Sequence, residues 1–288
     1  IKWGDDFKSK FHFLWLRDNC PTAIHPTANM RVFNILTVSK AIFPKEFKIQ
    51  NKKLNINWSE NKHQSEFDLK WLRDHCYTEI NNKTYKTPYV FWDGDFKKNL
   101  KKIKLDHDKI IKEDKYLKKW LELLHSYGFA IVKNSPVKKK SGFKILNRIS
   151  HHRETFFGTP FEVINIPKPN NTAYTAQALR NHTDLPYFEY APGYQFLHCL
   201  INDATGGKSS VVDGFAVANY LRKKEKDIFK ILTNTFIKFK DTDYTQKAIR
   251  VLHSPIITLS KDKDFNDIRF SMAAMGAIDV NPSKMKKF

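Results

Sequence analysis

Short apolar runs bounded by turn residues recur through the second half of this 288-residue chain. Residues 194–200, 209–212, 256–259 and 268–271 each have the length and composition of a β-strand. A helical pattern over residues 215–222 lies between them. Many short strands with few helices are typical of a double-sheet jelly roll, also called a double-stranded β-helix. We therefore predict a mainly β fold with helices.

A helix followed by a buried strand is predicted ahead of these runs. Gly128 ends the helix, because glycine readily takes the left-handed backbone at a helix C-terminus, and the apolar residues 129–132 form the strand. A second helix is predicted over residues 142–151. The apolar positions with helical spacing in the first helix are Leu117, Trp120, Leu121, Leu123 and Leu124.

The pattern Trp-Leu-Arg-Asp-x-Cys occurs twice near the start of the chain, at residues 15–20 and at residues 71–76. Between the two copies, residues 31–38 and 53–58 alternate or run apolar in the manner of strands. This part of the chain predicts a small, β-rich N-terminal domain.

A change in composition separates this domain from the rest of the chain. Residues 87–95 combine Pro, Gly and aromatic residues, and a lysine-rich segment follows to residue 104. A chain of this length is long enough for two domains. We predict a first domain over residues 1–95 and a second over residues 106–288.

The composition bears on the partners and the location of the protein. A net charge of +20 would ordinarily favour nucleic acid or an anionic membrane, but the lysines are spread from end to end. We therefore predict no nucleic-acid partner and no membrane partner. Cys20, Cys76 and Cys199 are odd in number and widely spaced, which favours a reducing compartment. With neither an 18-residue apolar run nor a signal peptide in the sequence, a cytoplasmic location is predicted.

The tripeptide His182-Thr183-Asp184 supplies two of the three ligands of a facial-triad metal site. In that arrangement two histidines and one carboxylate hold one face of a non-heme Fe(II) and leave the other face open. On a strand, residues two apart point the same way, so both side chains can bind one ion. A surface turn is the alternative, because such a tripeptide also arises by chance.

Several segments around this tripeptide occur in a recognisable order and spacing. They are residues 169–175, 181–187, 192–200 and 205–215, and residues 15–21 near the start of the chain. Together they resemble the gamma-butyrobetaine dioxygenase group of the iron(II)/2-oxoglutarate oxygenases, within the TauD/TfdA group. An ordered series of blocks is more specific than any one motif.

The resemblance implies a jelly-roll oxygenase domain in which His182 and Asp184 bind Fe(II), while 2-oxoglutarate and O2 take further positions. The keto acid is decarboxylated to succinate and CO2, and a C–H bond of the substrate becomes hydroxylated. Leu197 and Ser209 match positions that line the 2-oxoglutarate pocket, Leu197 by apolar contact and Ser209 as a hydroxyl donor. An ordinary strand serine is the alternative for Ser209.

The resemblance also implies a site for a trimethylammonium group. Phe157, Phe161 and Tyr174 match places where aromatic faces hold this cation, and Asn171 matches a position near the substrate's other end. Two positions that carry more electron-rich rings in the animal enzymes are Phe here, and Leu185 follows the ligand Asp where they carry Tyr. Ordinary core packing is the alternative for the two phenylalanines.

The family's distal iron ligand, a histidine, and its 2-oxoglutarate arginine lie beyond the segment that matches residues 268–279, and this chain does not contain them. His198 is predicted to be structural, and His253 matches no ligand position. We therefore expect an oxygenase domain truncated at its C-terminus, as a fragment of a complete enzyme. A protein that has lost its catalytic end is the other interpretation.

The family's N-terminal domain often binds a structural zinc through three cysteines and one histidine. This chain keeps Cys20 and His63 of that set, and His25 is a further candidate. Because structural zinc takes four ligands, we predict a metal-free domain. The resemblance implies that this domain supports a homodimer.

Three functional hypotheses follow. The first is Fe(II)- and 2-oxoglutarate-dependent hydroxylation of a small quaternary-ammonium substrate, namely gamma-butyrobetaine to L-carnitine in carnitine biosynthesis. A trimethylammonium phosphonate or a less charged acid is the alternative substrate for the same chemistry. The second is a catalytically inactive binding protein on the same fold, suggested by the missing third ligand. The third, a basic nucleic-acid binder, rests on the charge alone.

Overall fold

The computed structural model describes residues 1–60, 62–78 and 89–285. The chain divides into two compact units, Ile1–Lys86 and Thr87–Phe288. In the described residues every helix is too short or too polar to cross a membrane. Residues 87 and 88 of the predicted linker lie outside the described residues.

The first unit is built on a three-stranded antiparallel sheet. Its regular elements are α1 (Phe13–Asp18), β1 (Pro44–Gln50), β2 (Lys53–Trp58), β3 (Gln64–Asp68) and α2 (Leu69–Asp74). β2 is the central strand, and its alternate residues Leu54, Ile56 and Trp58 are buried. Phe67 on β3 lies opposite Leu54, so both strands present their apolar residues on one face. The strand predicted over residues 53–58 is confirmed.

The repeated Trp-Leu-Arg-Asp-x-Cys pattern forms α1 and α2. Each helix buries the leucine of its copy, Leu16 in α1 and Leu72 in α2, in the core beneath the sheet. The tryptophans of the two copies contact each other, with the ring centroids of Trp15 and Trp71 5.8 Å apart. The repeat therefore gives two similar helical turns that pack side by side.

The strand predicted over residues 31–38 is wrong. This segment contains a single bridge between Ile24 and Arg31 and a 3-10 turn at Ile35–Thr37. The Asn34 side-chain oxygen accepts the Leu36 backbone N–H at 3.0 Å. A local bond of this kind offers the backbone an alternative to a sheet ladder.

The second unit combines helices with short strand pairs. Its regular elements are β4 (Lys104–Asp106), α3 (His107–Lys112), α4 (Asp114–Tyr127), β5 (Ile131–Lys133), α5 (Phe143–Leu146), α6 (Gly214–Lys224), α7 (Lys226–Asn234), β6 (Ile237–Asp243), β7 (Ala248–Ser254), β8 (Ile257–Leu259), β9 (Phe265–Ile268) and α8 (Pro282–Met285). β4 and β5 are parallel, whereas β6–β7 and β8–β9 are antiparallel pairs. No closed barrel is present among the described residues.

Helix α4 confirms the prediction from apolar spacing. It buries Trp120 and Leu124 and ends at Gly128, whose φ is +77°. The strand after it was predicted to be buried, and this is wrong. β5 has two exposed positions, because its pairing in the described part of the chain is with the three-residue β4 alone. The helix predicted over residues 142–151 is limited to α5, since Asn147 and Ser150 favour turns.

The predicted strands of the second unit are found only in part. The helix predicted over residues 215–222 is α6, and the strands near residues 256–259 and 268–271 appear as β8 and as β9, which begins and ends about three residues early. The strands predicted over residues 194–200 and 209–212 are wrong, because the described chain between α5 and α6 contains no strand. Apolar residues form a strand only where a neighbouring backbone accepts their ladder.

Candidate functional site

His182 and Asp184 lie in this irregular region, and their side chains face each other. His182 Nε2 is 3.1 Å from Asp184 Oδ1, and the two side chains are 34% and 36% exposed. The strand expected at this tripeptide is wrong, because residues 181–185 are irregular, and the two side chains face each other without it. The structure therefore places the two predicted ligand atoms side by side at a half-buried position.

The contact of the other ring nitrogen, Nδ1, determines which tautomer the neutral imidazole of His182 adopts. Nδ1 lies 2.6 Å from the backbone oxygen of Arg180. A carbonyl oxygen can only accept, so Nδ1 carries a proton, and in the neutral ring Nε2 then has a free lone pair. Two acceptors at 3.1 Å repel each other unless a proton or a cation lies between them. This arrangement fits a metal ligand pair, in which the ring nitrogen that does not bind the metal donates its N–H to a carbonyl.

The second carboxylate oxygen of Asp184 is also held. The side-chain amide of Gln195 donates to Asp184 Oδ2, which leaves Oδ1 facing His182. Gln195 was not among the predicted site residues, although it lies within one of the family-like blocks, residues 192–200. It orients the carboxylate in the way that outer partners orient metal ligands.

Thr183, between the two ligands, is tied to a distant part of the chain. Its N–H donates to the Phe270 carbonyl at 2.7 Å, and its Oγ1 accepts the Phe270 N–H at 2.9 Å. Together these bonds fix the backbone of the tripeptide from its central residue. The sequence predicted a strand at residues 268–271 but did not predict this contact.

The neighbouring Arg269 is buried, at 8% exposed. Its guanidinium donates to the backbone oxygens of Pro186 at 3.1 Å, of Phe188, and of Glu189 at 2.7 Å. It also forms a 2.9 Å ion pair with Asp267. Sequence reasoning missed Arg269, and the available signal was an arginine within an apolar run.

A series of aromatic contacts begins at Phe188, four residues after Asp184. Phe188 contacts Phe156 with ring centroids 5.6 Å apart, and Phe156 contacts Phe157 at 4.3 Å. Phe157 in turn contacts Phe161 at 5.4 Å. Leu185 packs with Phe156 and Phe188 against a buried cluster. The members of that cluster are Tyr187, Ile237 and Phe239. Burial raises the pKa of the Tyr187 hydroxyl.

Of the remaining predicted site residues, Asn171 and Tyr174 are half-buried. Asn171 uses its side-chain oxygen to accept the Ala173 N–H at 2.9 Å, at the start of the 3-10 turn Thr172–Tyr174. Leu197 is 72% exposed and Ser209 is also exposed. The segments that carry Leu197 and Ser209 are irregular. Their roles toward 2-oxoglutarate stay predictions.

Within the described ranges, no three His, Cys, Asp or Glu side chains converge closely enough to hold a metal. His253 is an exposed residue of β7, and the His198 ring is half-buried. In the first unit, Cys20 Sγ lies 3.4 Å from His63 Nε2. His25 is exposed, and its Nδ1 accepts the Ala28 N–H at 3.2 Å. Burial and, to a smaller extent, the charge of Arg17 lower the pKa of His63.

Comparisons with known proteins match each of the two units to a protein family. The sequence profile of the Taurine catabolism dioxygenase TauD, TfdA family matches residues 93–268, and that of the Gamma-butyrobetaine hydroxylase-like, N-terminal family matches residues 1–73. The chain is 31% identical to Gamma-butyrobetaine dioxygenase of Pseudomonas sp. strain AK-1 and 30% identical to that of Homo sapiens. These alignments cover 100% of this chain and 75% and 76% of the two relatives. It is also 30% identical to the mitochondrial Trimethyllysine dioxygenase of Homo sapiens, over 80% of this chain and 54% of that relative.

Proposed function

This chain belongs to the taurine catabolism dioxygenase TauD/TfdA family, and we propose that it hydroxylates a small quaternary-ammonium substrate with Fe(II), 2-oxoglutarate and O2. Gamma-butyrobetaine is the first candidate substrate, and L-carnitine is its product. The dioxygenase class follows from the family. The substrate is inferred from the relatives named Gamma-butyrobetaine dioxygenase and from the aromatic residues that contact one another from Phe188 to Phe161.

One observation carries the metal assignment. His182 Nε2 and Asp184 Oδ1 are 3.1 Å apart, and both atoms have the lone pairs that Fe(II) accepts. His182 and Asp184 would hold the metal together with a third ligand. When bound, Fe(II) with 2-oxoglutarate and O2 supplies the oxidising chemistry for hydroxylation of an unactivated C–H bond.

The chain's own residues would prepare this site. The Arg180 carbonyl keeps the proton on His182 Nδ1, and the Gln195 amide holds one oxygen of Asp184. These contacts fix the ligand atoms before the metal arrives, which is how outer partners raise metal affinity. We assign Leu197 and Ser209 to the 2-oxoglutarate side of the site, as the family resemblance implies.

The substrate side is assigned to the aromatic residues. A quaternary ammonium cannot donate a hydrogen bond and is instead attracted to aromatic faces. Phe157 and Phe161 lie 5.4 Å apart with a 40° angle between their rings, so they can offer two faces to one cation. Tyr174 adds a third ring, and Asn171 is assigned to the opposite end of the substrate. We also propose that the second unit forms a jelly roll around these residues. The first unit is proposed to support a homodimer.

The deciding experiment measures succinate formed from 2-oxoglutarate in the presence of Fe(II) by the intact gene product, which would have to supply the third ligand. Gamma-butyrobetaine, N6-trimethyllysine and a trimethylammonium phosphonate are compared as substrates. We expect gamma-butyrobetaine to stimulate turnover most, and His182→Ala to abolish it. The matched control is His151→Ala, an exposed histidine that is not among the predicted site residues.

The outcomes separate the hypotheses. Stimulation by N6-trimethyllysine alone would move the assignment to the activity of the Trimethyllysine dioxygenase relatives. Iron-dependent turnover that no betaine stimulates would reject the quaternary-ammonium substrate. A protein that binds a betaine but shows no iron-dependent turnover would be a binding protein.

A further inference from the structure

We propose that Arg269 is a positioning residue for Asp184, which it holds through the turn of residues 185–189, here named the ligand turn. The inference rests on the proposed function of Asp184 as a metal ligand. Arg269 would act by restraining the backbone that follows the ligand, without touching metal or substrate itself.

The contacts of Arg269 favour this role over general packing. A guanidinium carries five N–H donors in a fixed planar fork, and here they reach three carbonyl oxygens of the ligand turn, those of Pro186, Phe188 and Glu189. The ion pair with Asp267 offsets the buried charge. Lysine has a single ammonium group and cannot reproduce the fork.

The ligand turn needs such a restraint because of its first residue. Leu185 has a φ of +50°, a left-handed conformation that is unfavourable for a residue with a Cβ atom. Strained residues of this kind persist only where their surroundings fix them. A bond from the Phe188 N–H to the Leu185 carbonyl at 3.0 Å closes the turn from inside, and Arg269 fixes it from outside. Since Leu185 directly follows Asp184, its backbone conformation determines how the Asp184 carboxylate is oriented relative to the ligand turn.

The backbone of Arg269 is itself held in place by a hydrogen bond. Its backbone N–H donates to the Ile256 carbonyl at 2.8 Å, beside β8. The next residue, Phe270, holds Thr183 through its N–H and its carbonyl. Phe270 therefore holds the chain before Asp184, at Thr183, and Arg269 holds the chain after Asp184, at the ligand turn. The β8–β9 pair provides a base for both contacts.

The test compares Arg269→Gln and Arg269→Lys with the matched control Arg222→Gln. Arg222 also donates to a backbone carbonyl, that of Lys263 at 3.2 Å, but it lies outside the ligand turn. Amide hydrogen exchange of residues 183–190 and the affinity for Mn(II) alone are measured for each protein. We expect Arg269→Gln to accelerate exchange in this segment and to weaken Mn(II) binding by about tenfold. Arg269→Lys should be intermediate, and Arg222→Gln unchanged in both measurements.

A second pair of variants addresses the strain at Leu185. Leu185→Asn and Leu185→Ala both lose the apolar side chain, but asparagine tolerates the left-handed conformation better. In the Arg269→Gln background, Leu185→Asn should bind Mn(II) more tightly than Leu185→Ala. With Arg269 present, the two should be alike. Equal affinities in both backgrounds would overturn the proposed restraint.

Failure of the inference can be told apart from failure of the proposed function. If the parent protein binds Mn(II) no better than His182→Ala, the proposed function fails, and hydrogen exchange still tests Arg269. If exchange of residues 183–190 is the same in Arg269→Gln and Arg222→Gln, the positioning role is rejected. It is also rejected if exchange accelerates while a measurable Mn(II) affinity stays at the parent value. Should Arg269→Gln fail to fold, the same comparisons apply to Arg269→Lys.

Discussion

The imidazole of His182 has its two nitrogens committed to different partners. Nδ1 faces the Arg180 carbonyl and Nε2 faces Asp184 Oδ1. The spacing of His182 and Asp184 predicted that their side chains lie together, as they do, whereas their role as metal ligands stays a prediction. The contacts that tie Gln195 to Asp184 and Arg269 to the Pro186 carbonyl were not predicted, because they span 11 or more residues and no local pattern encodes such a pairing.

The facing lone pairs lead to a prediction for Asp184→Asn. The variant should lose Mn(II) affinity by more than about 100-fold, because a neutral amide is a poor ligand. Its thermal unfolding midpoint should be unchanged or higher, since the amide can donate to His182 Nε2 and the repulsion disappears. Asp203→Asn, an exposed position, is the control for both measurements. A variant that keeps the parent affinity would contradict the assignment of Asp184.

The lowered pKa of His63 predicts a pH dependence in the first unit. Burial is the main cause and Arg17 the second, and the folded pKa lies below the ordinary 6.5. Between that lowered pKa and 6.5 the unfolded chain binds more protons than the folded one, so stability is complete above 6.5 and falls as the pH drops through this window. Urea unfolding of the first unit between pH 5 and pH 7.5 measures the slope. It should be smaller in His63→Gln and unchanged in His25→Gln, and an unaltered slope in His63→Gln would count against this explanation.

Helices and strands of this chain differ in how much of their formation is local. Apolar spacing and Gly128 were enough to predict α4, and the alternation in residues 53–58 predicted β2. Residues 194–200 have a strand-like composition as well, yet their contacts are made by side chains. Phe196 packs on Trp120 at 5.9 Å, and the Tyr194 hydroxyl donates to the Leu124 carbonyl at 3.5 Å. A strand depends on a partner that the segment's own sequence does not contain.

The end of α4 allows a test of backbone conformation alone. Gly128 has a φ of +77°, and a Cβ added there would meet no atom within 4 Å. Gly128→Ala should therefore lower the unfolding free energy by about 1 kcal/mol, through the left-handed backbone and without any clash. Gly94→Ala is the matched control, since its added Cβ also meets open space. Equal unfolding free energies for Gly128→Ala and the parent protein, measured in urea, would contradict the role of Gly128 as the helix end.

The chain has two units with separate apolar cores. The first unit gathers its core around β2 and the two repeat helices, and the second has one cluster around α4 and another around β6. The repeat in the sequence predicted that residues 15–20 and 71–76 bracket one small domain. It did not predict that they would be helical, because six residues are too few for periodicity to decide.

The packing of Leu72 predicts a large effect on the first unit. This side chain is fully buried, and Leu72→Ala should destabilise the unit by about 2–5 kcal/mol, from lost transfer free energy and the cavity that remains. Hydrogen exchange of the β2 amides measures this change. Leu36→Ala, at a position 88% exposed, should leave the same amides protected. Similar exchange in both variants would mean that Leu72 is not part of the core.

The contact between the two repeat tryptophans also gives the first unit an optical signature. Trp15 and Trp71 have ring centroids 5.8 Å apart, close enough for their electronic transitions to couple and to produce a paired positive and negative band in circular dichroism. The band pair depends on both indoles and should vanish when either is replaced by phenylalanine. Assembly of the two halves of the repeat can therefore be followed in real time during folding, without a label.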